Sequence, residues 1–309
     1  MPATKSTKSK RKETQKNLSS HENKMTRHAE FAGTWYPDTA DECETVFKQW
    51  EQSFSQDNIT HSLIGGIVPH AGWFYSGKIA YEVFFQLQKS RPSVSLFILF
   101  GGHLGKSDSK RIMIEGSYET PFGELSTETT LAKNLVKNSS FFIETENNFY
   151  RDNATELQFP MIKYLWPKTK IIVIGMPPTF ETLSLSQMIH EVLIQHNDTL
   201  FIGSTDMTHY GPNYQFTPMG KGFSGLNWTK DVNDAQLLGL IEKSDTSSMI
   251  AMANDNHNAC CIGSVVTAME CAKLSQLITP KILSYTTSYD IAPDNKEPLN
   301  FVGYAGVVF

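Results

Sequence analysis

From Phe31 onward the chain alternates two kinds of apolar pattern. The stretches "SLIGGIVP" (62–69), "VSLFILFG" (94–101), "KTKIIVIGM" (168–176) and "DTLFIGS" (198–204) are short, nearly unbroken apolar runs, as expected of strands buried on both faces. Residues 40–54, 75–87, 182–196, 230–242 and 258–273 instead repeat their apolar positions at helical spacing. "PKILSYTTSYD" and "NFVGYAGVVF" read as closing strands. Continuous apolar strands separated by helices predict an α/β fold, with a mixed, largely parallel sheet enclosed by helices. No linker, repeat or low-complexity segment interrupts 28–309, so a single domain is expected there.

The residues that end these runs add chemistry to the pattern. The first run stops at Pro69 and passes directly into His70; the second ends "FGGH", with His103 beyond a glycine pair; the last opens into "STDMTHYG", which holds Asp206 and His209. Open α/β sheets bind ligands beyond the carboxyl ends of their strands, so three imidazoles and a carboxylate are expected at one edge. Imidazole with carboxylate or thiolate suits a borderline metal such as Zn, Fe or Cu better than Mg or Ca. A further candidate lies in "NHNACCIGSVVTAM" (256–269). There Asn258 would cap a helix, and Cys260 or Cys261 would fall in its first turn, where the helix dipole favours thiolate. His21, His28, His61, His190, His196 and His257 lie in the tail, in expected loops or on helix faces, and show no such context.

Charge sets the N-terminus apart. Residues 1–24 hold seven Lys and Arg against two Glu, a local +5 within a chain of net charge −5, which leaves the body acidic. A segment so poor in apolar residues cannot offset its chain entropy, so a disordered basic tail is expected over 1–27. The acidic body argues against a nucleic-acid-binding surface. No run approaches the roughly 18 apolar residues of a membrane span and no apolar leader is present, so a cytoplasmic protein without a membrane anchor is expected. Cys43, Cys260, Cys261 and Cys271 form no CxxC pair or regular framework, which favours free thiols over disulfides or zinc ribbons. HExxH, GxSxG, the P-loop and the dinucleotide fingerprint are all missing.

Taken in order, "AGTWYP" (32–37), "PHAGWFYSG" (69–77), "GGH" (101–103), "TPFG" (120–123), "STDMTHYG" (204–211), "ACCIG" (259–263) and the closing "SYD…VGYAGV" resemble the Memo family, which includes the AmmeMemoRadiSam system protein B. The resemblance spans all but the tail and implies a fold similar to class III extradiol dioxygenases. Those enzymes hold non-haem iron(II) on two His and a carboxylate. In the Memo family a cysteine takes the carboxylate position. The resemblance therefore implies a metal site on His70, His103 and Cys260, with iron(II) the leading cofactor and copper or zinc as alternatives. It also implies Asp206 and His209 as a catalytic acid/base pair or as outer support for the metal ligands. Trp35, Trp73, Tyr75 and Glu156 are candidates for substrate contact, with Phe74 beside them. In "DNATELQFP" (152–160), Glu156 and Pro160 match the family pattern while Asn153 replaces a usual His, so a proton carrier is exchanged for a hydrogen-bonding amide.

Two functions follow as expectations. One is a metal-dependent redox or oxygen-linked activity on an unidentified small molecule. The other is a non-catalytic adaptor that uses the same pocket for a peptide. A zinc hydrolase built on His70, His103 and Asp206 is a third reading of the same residues. The family's association with radical-SAM proteins further implies a partner in a shared pathway.

Overall fold

Nine strands form the main sheet in the computed structural model, which describes residues 25–54, 62–193, 196, 198–293 and 296–309. They are β1 (Gly65–Val68), β2 (Leu96–Gly101), β3 (Arg111–Ile112), β4 (Phe142–Ile143), β5 (Lys170–Gly175), β6 (Thr199–Ser204), β7 (His209–Tyr210), β8 (Lys281–Thr287) and β9 (Phe301–Val308). Their order is β7-β9-β1-β6-β2-β5-β3-β4, with β8 also paired to β9. The four apolar runs supply the parallel centre, β1-β6-β2-β5. Antiparallel pairs flank it: β9 with β1, β7 and β8, and β3 with β5. The sheet is mixed with a parallel core, as the sequence pattern predicts.

Helices cover both faces: α1 (Ala40–Glu51), α2 (Lys78–Ser90), α3 (Thr129–Asn138), α4 (Glu181–Leu193), α5 (Ala235–Glu242), α6 (Thr246–Asn256) and α7 (Ile262–Ser275). Strand β2 shows why. Its alternate side chains Leu96, Ile98 and Phe100 pack with Leu131, Ile189, Val265 and Met269 of α3, α4 and α7. Phe97 and Leu99, pointing the other way, pack with Phe47, Val83 and Phe84 of α1 and α2. Each such buried side chain contributes about 1.5–3 kcal/mol, so a strand buried on both faces is favoured along its whole length. Helices α3 and α6 extend the sequence pattern.

Helix α7 lies against the sheet backbone itself. A Cβ on Gly203 in β6 would sit 2.8 Å from the Val265 Cα, so only glycine permits this approach. The contact brings the segment before α7 to the end of β6, where the site is built.

Residues 1–24 of the basic tail expected over 1–27 lie outside the described residues, as does His61. The end of that expected tail is ordered: Thr26 and Arg27 pair in parallel with Ser117 and Tyr118. Arg27 anchors them by an ion pair to Glu144 at 2.8 Å, an interaction that tail composition alone does not reveal. Among the described residues, no helix is long and apolar enough to cross a membrane.

A Gly203→Ala substitution is expected to destabilise the protein by about 1–3 kcal/mol, through overpacking against α7. Gly239→Ala, in α5 with open space around the new methyl, is expected to stabilise it by about 0.5–1 kcal/mol. Urea unfolding of the two variants checks this, and equal effects would refute the close approach of α7.

Candidate metal centre

Strand register assembles the site. Val68 of β1 pairs with Ser204 of β6, and Phe100 of β2 pairs with Gly203, so the three strands end at one level. His70, His103 and Asp206 each stand two residues beyond Val68, Gly101 and Ser204. The expected convergence at one sheet edge is what the fold produces.

His70 is fully buried and tied down at four points. Its backbone N–H donates to Asp206 Oδ1 at 2.8 Å, and its carbonyl accepts from Asn153 Nδ2 at 2.9 Å. Its Nδ1 lies 3.0 Å from Ser204 Oγ, which leaves Nε2 facing Cys260 Sγ at 3.2 Å. His103 follows Gly102, whose φ of +109° suits glycine alone and turns the chain toward Asp152. Asp152 then takes the His103 backbone N–H at 2.8 Å and pairs with its Nδ1 at 3.0 Å, while capping the short helix Asn153–Glu156 through Ala154 N–H. The two rings stand 4.9 Å apart at 76°.

Cys260 arrives from the far side of the sheet edge. Its N–H donates to the Asp206 carbonyl and its Sγ accepts from the Asp206 N–H, both at 3.2 Å. Cys261 N–H donates to Thr205 Oγ1 at 3.1 Å. Asn258 does not cap α7 as expected. Its amide is drawn to the Asn233 carbonyl at 2.9 Å, and the helix begins only at Ile262, so both cysteines precede its first turn. One donor atom from each of His70, His103, Cys260 and Cys261 falls within 4.8 Å of the others. Asp206 is outside this group, its Oδ2 lying 3.9 Å from His70 Nε2 and 3.6 Å from His209 Nε2.

A family model described as Memo-like protein matches residues 27–308. The chain belongs to the Memo-like family. A MEMO1 family protein of Thermococcus onnurineus is 27% identical over 92% of this chain and 99% of its own length. Those of Pyrococcus horikoshii and Pyrococcus furiosus are 26% and 27% identical over the same shares. The motifs read from the sequence thus fall in a chain that is Memo-like from end to end of its described core.

Electrostatics in this Memo-like site favour separated charges. Burial opposes a thiolate at Cys260, but the hydrogen bond from Cys261 and the neighbouring His70 and His103 outweigh it, and its thiol is held well below the usual range. Cys261 is pushed well above that range by the hydrogen bond to Cys260, by burial and by the thiolate beside it, so it keeps its proton. His103 is pushed up to about 10, chiefly by its hydrogen bonds to Asp152 and Cys260. For His70 and His209 burial works against the charged ring, yet Asp206 and Cys260 raise both. Cys43 and Cys271 contrast with Cys260, since burial raises both thiols.

The cluster opens on a cavity of about 970 Å³. Trp35, Phe74, Tyr75, Tyr214, Tyr289 and Tyr304 supply its aromatic surface, and Asn153, Asp206 and His209 its polar one. Two expected contact residues lie elsewhere. Trp73 faces inward, because the wide turn Trp73–Gly77 sends Phe74 and Tyr75 outward; its ring packs on Tyr36, Phe47 and Trp50 and its Nε1 donates to the Leu157 carbonyl. Glu156 is buried, accepting from Phe31 N–H and Tyr36 O–H, and braces the N-terminal segment instead of the cavity. Asn153 lines the cavity while its amide holds His70.

Sequence reasoning overlooked three supports. Ser204 and Asp152 orient the two imidazoles, and Asp152 had one readable sign, the N-cap position in "DNATE". Asp234 lies fully buried behind the site, where it accepts from Thr208 N–H at 3.1 Å, from Thr208 O–H and from Tyr285 O–H at 2.7 Å. Burial raises its carboxyl to about 6 against these hydrogen bonds. Nothing in the local sequence marks it, because its partners come from β8 and the loop after β6.

In metal-free protein, Asp152→Asn is expected to lower the His103 pKa from about 10 toward the ordinary 6.5. A histidine raised on folding adds stability that is complete below its unfolded pKa and lost as pH rises through the folded one. The stability gap between wild type and variant is therefore expected to be full near pH 6 and to fade as pH climbs through about 10. NMR titration of the His103 ring and urea unfolding across this range check both; an unshifted ring would remove Asp152 as the cause.

Proposed function

We propose that this Memo-like protein holds one transition-metal ion on His70 Nε2, His103 Nε2 and Cys260 Sγ, and uses it in a redox or oxygen-linked reaction on a small substrate in the adjoining cavity. The observation that carries the reading is the state of the two imidazoles. Each has its Nδ1 engaged, by Ser204 in one case and Asp152 in the other, so each turns its second nitrogen to the Cys260 thiolate. Outer partners of this kind fix the tautomer and orientation of metal-binding histidines. The donors fit a borderline ion, and the protons that crowd the metal-free cluster are those that metal binding would release. Iron(II) is our first choice, following the likeness to class III extradiol dioxygenases; copper and zinc accept the same donors.

The bound ion would supply electron transfer, with a thiolate ligand donating charge to it. The chain's own residues do the rest. Among the described residues, His209 Nε2 is buried without a hydrogen-bond partner and lies 3.6 Å from Asp206 Oδ2, a ring able to take a proton in the cavity and share it with the carboxylate. The aromatic walls take the flat, apolar part of a substrate and leave its polar end to Asn153 and His209. One observation favours the adaptor reading: Trp35, Phe74, Tyr75, Tyr214 and Leu299 stand exposed around the cavity mouth, as a peptide-binding rim would.

Elemental analysis of anaerobically purified protein is expected to find about one Fe, Cu or Zn per chain. His70→Ala and Cys260→Ser are expected to lose most of it, Cys43→Ser and Cys271→Ser none, and His209→Asn to change affinity by less than about tenfold. The redox reading further expects oxygen uptake by the iron-loaded protein when a substrate is supplied. No metal under any loading condition would overturn the metal reading and leave the peptide one.

A further inference from the structure

The donor group contains one residue more than the proposed site uses. Cys261 is fully buried, and its Sγ lies within 4.8 Å of the donor atoms of His70, His103 and Cys260. We propose that Cys261 is a fourth metal donor, so that the loaded centre is a His₂Cys₂ set. This rests on the metal reading above.

Three observations support it. Four atoms within 4.8 Å of one another enclose a single point, and bonds of about 2.0–2.3 Å require only that they draw inward. The His70 Nε2 to Cys260 Sγ edge, at 3.2 Å, is already close to the spacing of two ligands on one tetrahedral ion. The Cys261 backbone is also fixed independently of any metal, by its N–H on Thr205 Oγ1 and by the start of α7. Cys261 Sγ also lies 3.3 Å from the Gly102 carbonyl, within hydrogen-bond reach of the peptide next to His103.

Charge gives the same answer. Two thiolates and two neutral imidazoles would balance a divalent ion, with the Cys261 proton and any proton on the metal-facing imidazole nitrogens released to solvent. A tetrahedral field closed by four protein donors admits a substrate only if one donor leaves or the shell expands.

The test loads full-length protein with cobalt(II) and reads the near-ultraviolet sulfur-to-cobalt charge-transfer band, whose intensity follows the number of thiolates. Wild type is expected to show about twice the band of Cys261→Ala at one cobalt per chain, and Cys260→Ser with Cys261→Ala is expected to show none. Equal bands in wild type and Cys261→Ala, both at one cobalt per chain, would overturn the proposal while leaving the three-donor site standing. Failure of wild type to bind cobalt or zinc would instead sink the metal reading itself. X-ray absorption of zinc-loaded wild type needs no variant: two sulfur neighbours at about 2.3 Å are expected, and a single one would refute Cys261 as a ligand.

Discussion

The register of three parallel strands is the constraint on which the site depends. β1, β6 and β2 run side by side, and their hydrogen-bonded pairs bring Val68 level with Ser204 and Phe100 level with Gly203. A slip of one residue would turn each strand's side chains to the opposite face and lift one imidazole out of level with the other. Burial prevents this slip. Both faces of these strands are packed, so every shifted register would exchange fitted side chains for clashes or voids.

Asp206 turns that alignment into a site. Its carboxylate takes the His70 backbone N–H, while its own N–H and carbonyl clasp Cys260. One residue therefore joins the ends of β1 and β6 to the segment before α7. The clasp is possible because Gly203 lets α7 lie directly on β6. Residues far apart in sequence, at 70, 103, 206 and 260, are held together by backbone contacts as much as by side chains. This matters for chemistry, since side chains fixed by the backbone keep their mutual geometry.

The electrostatic order of the cluster follows from the same arrangement. A buried thiolate is costly alone, yet here it lies against two imidazoles and receives a backbone N–H and the Cys261 thiol. Asp152, in turn, spends its carboxylate on the backbone and ring of His103, so its charge reaches the cluster through an imidazole. The negative groups are thus spaced by rings that can carry protons.

Unbroken apolar runs were enough, from sequence alone, to determine the parallel centre of the sheet, because strands buried on both faces must be apolar at every position. The residues that follow those runs marked His70, His103, Asp206 and His209 as sharing one edge, since parallel strands end on the same side. The ordered motifs led to the Memo-like family. Tertiary structure alone decided the rest. Two-residue strands such as β3, β4 and β7 show no periodicity of their own and form only against neighbours. Whether Trp73 or Tyr75 faced the cavity depended on the wide turn that carries both, and whether Glu156 reached it depended on the packing of Phe31 and Tyr36. Ser204 and Asp234 are ordinary residues in their local sequence. Their roles arise from contacts across the chain, which local pattern does not record and packing alone creates.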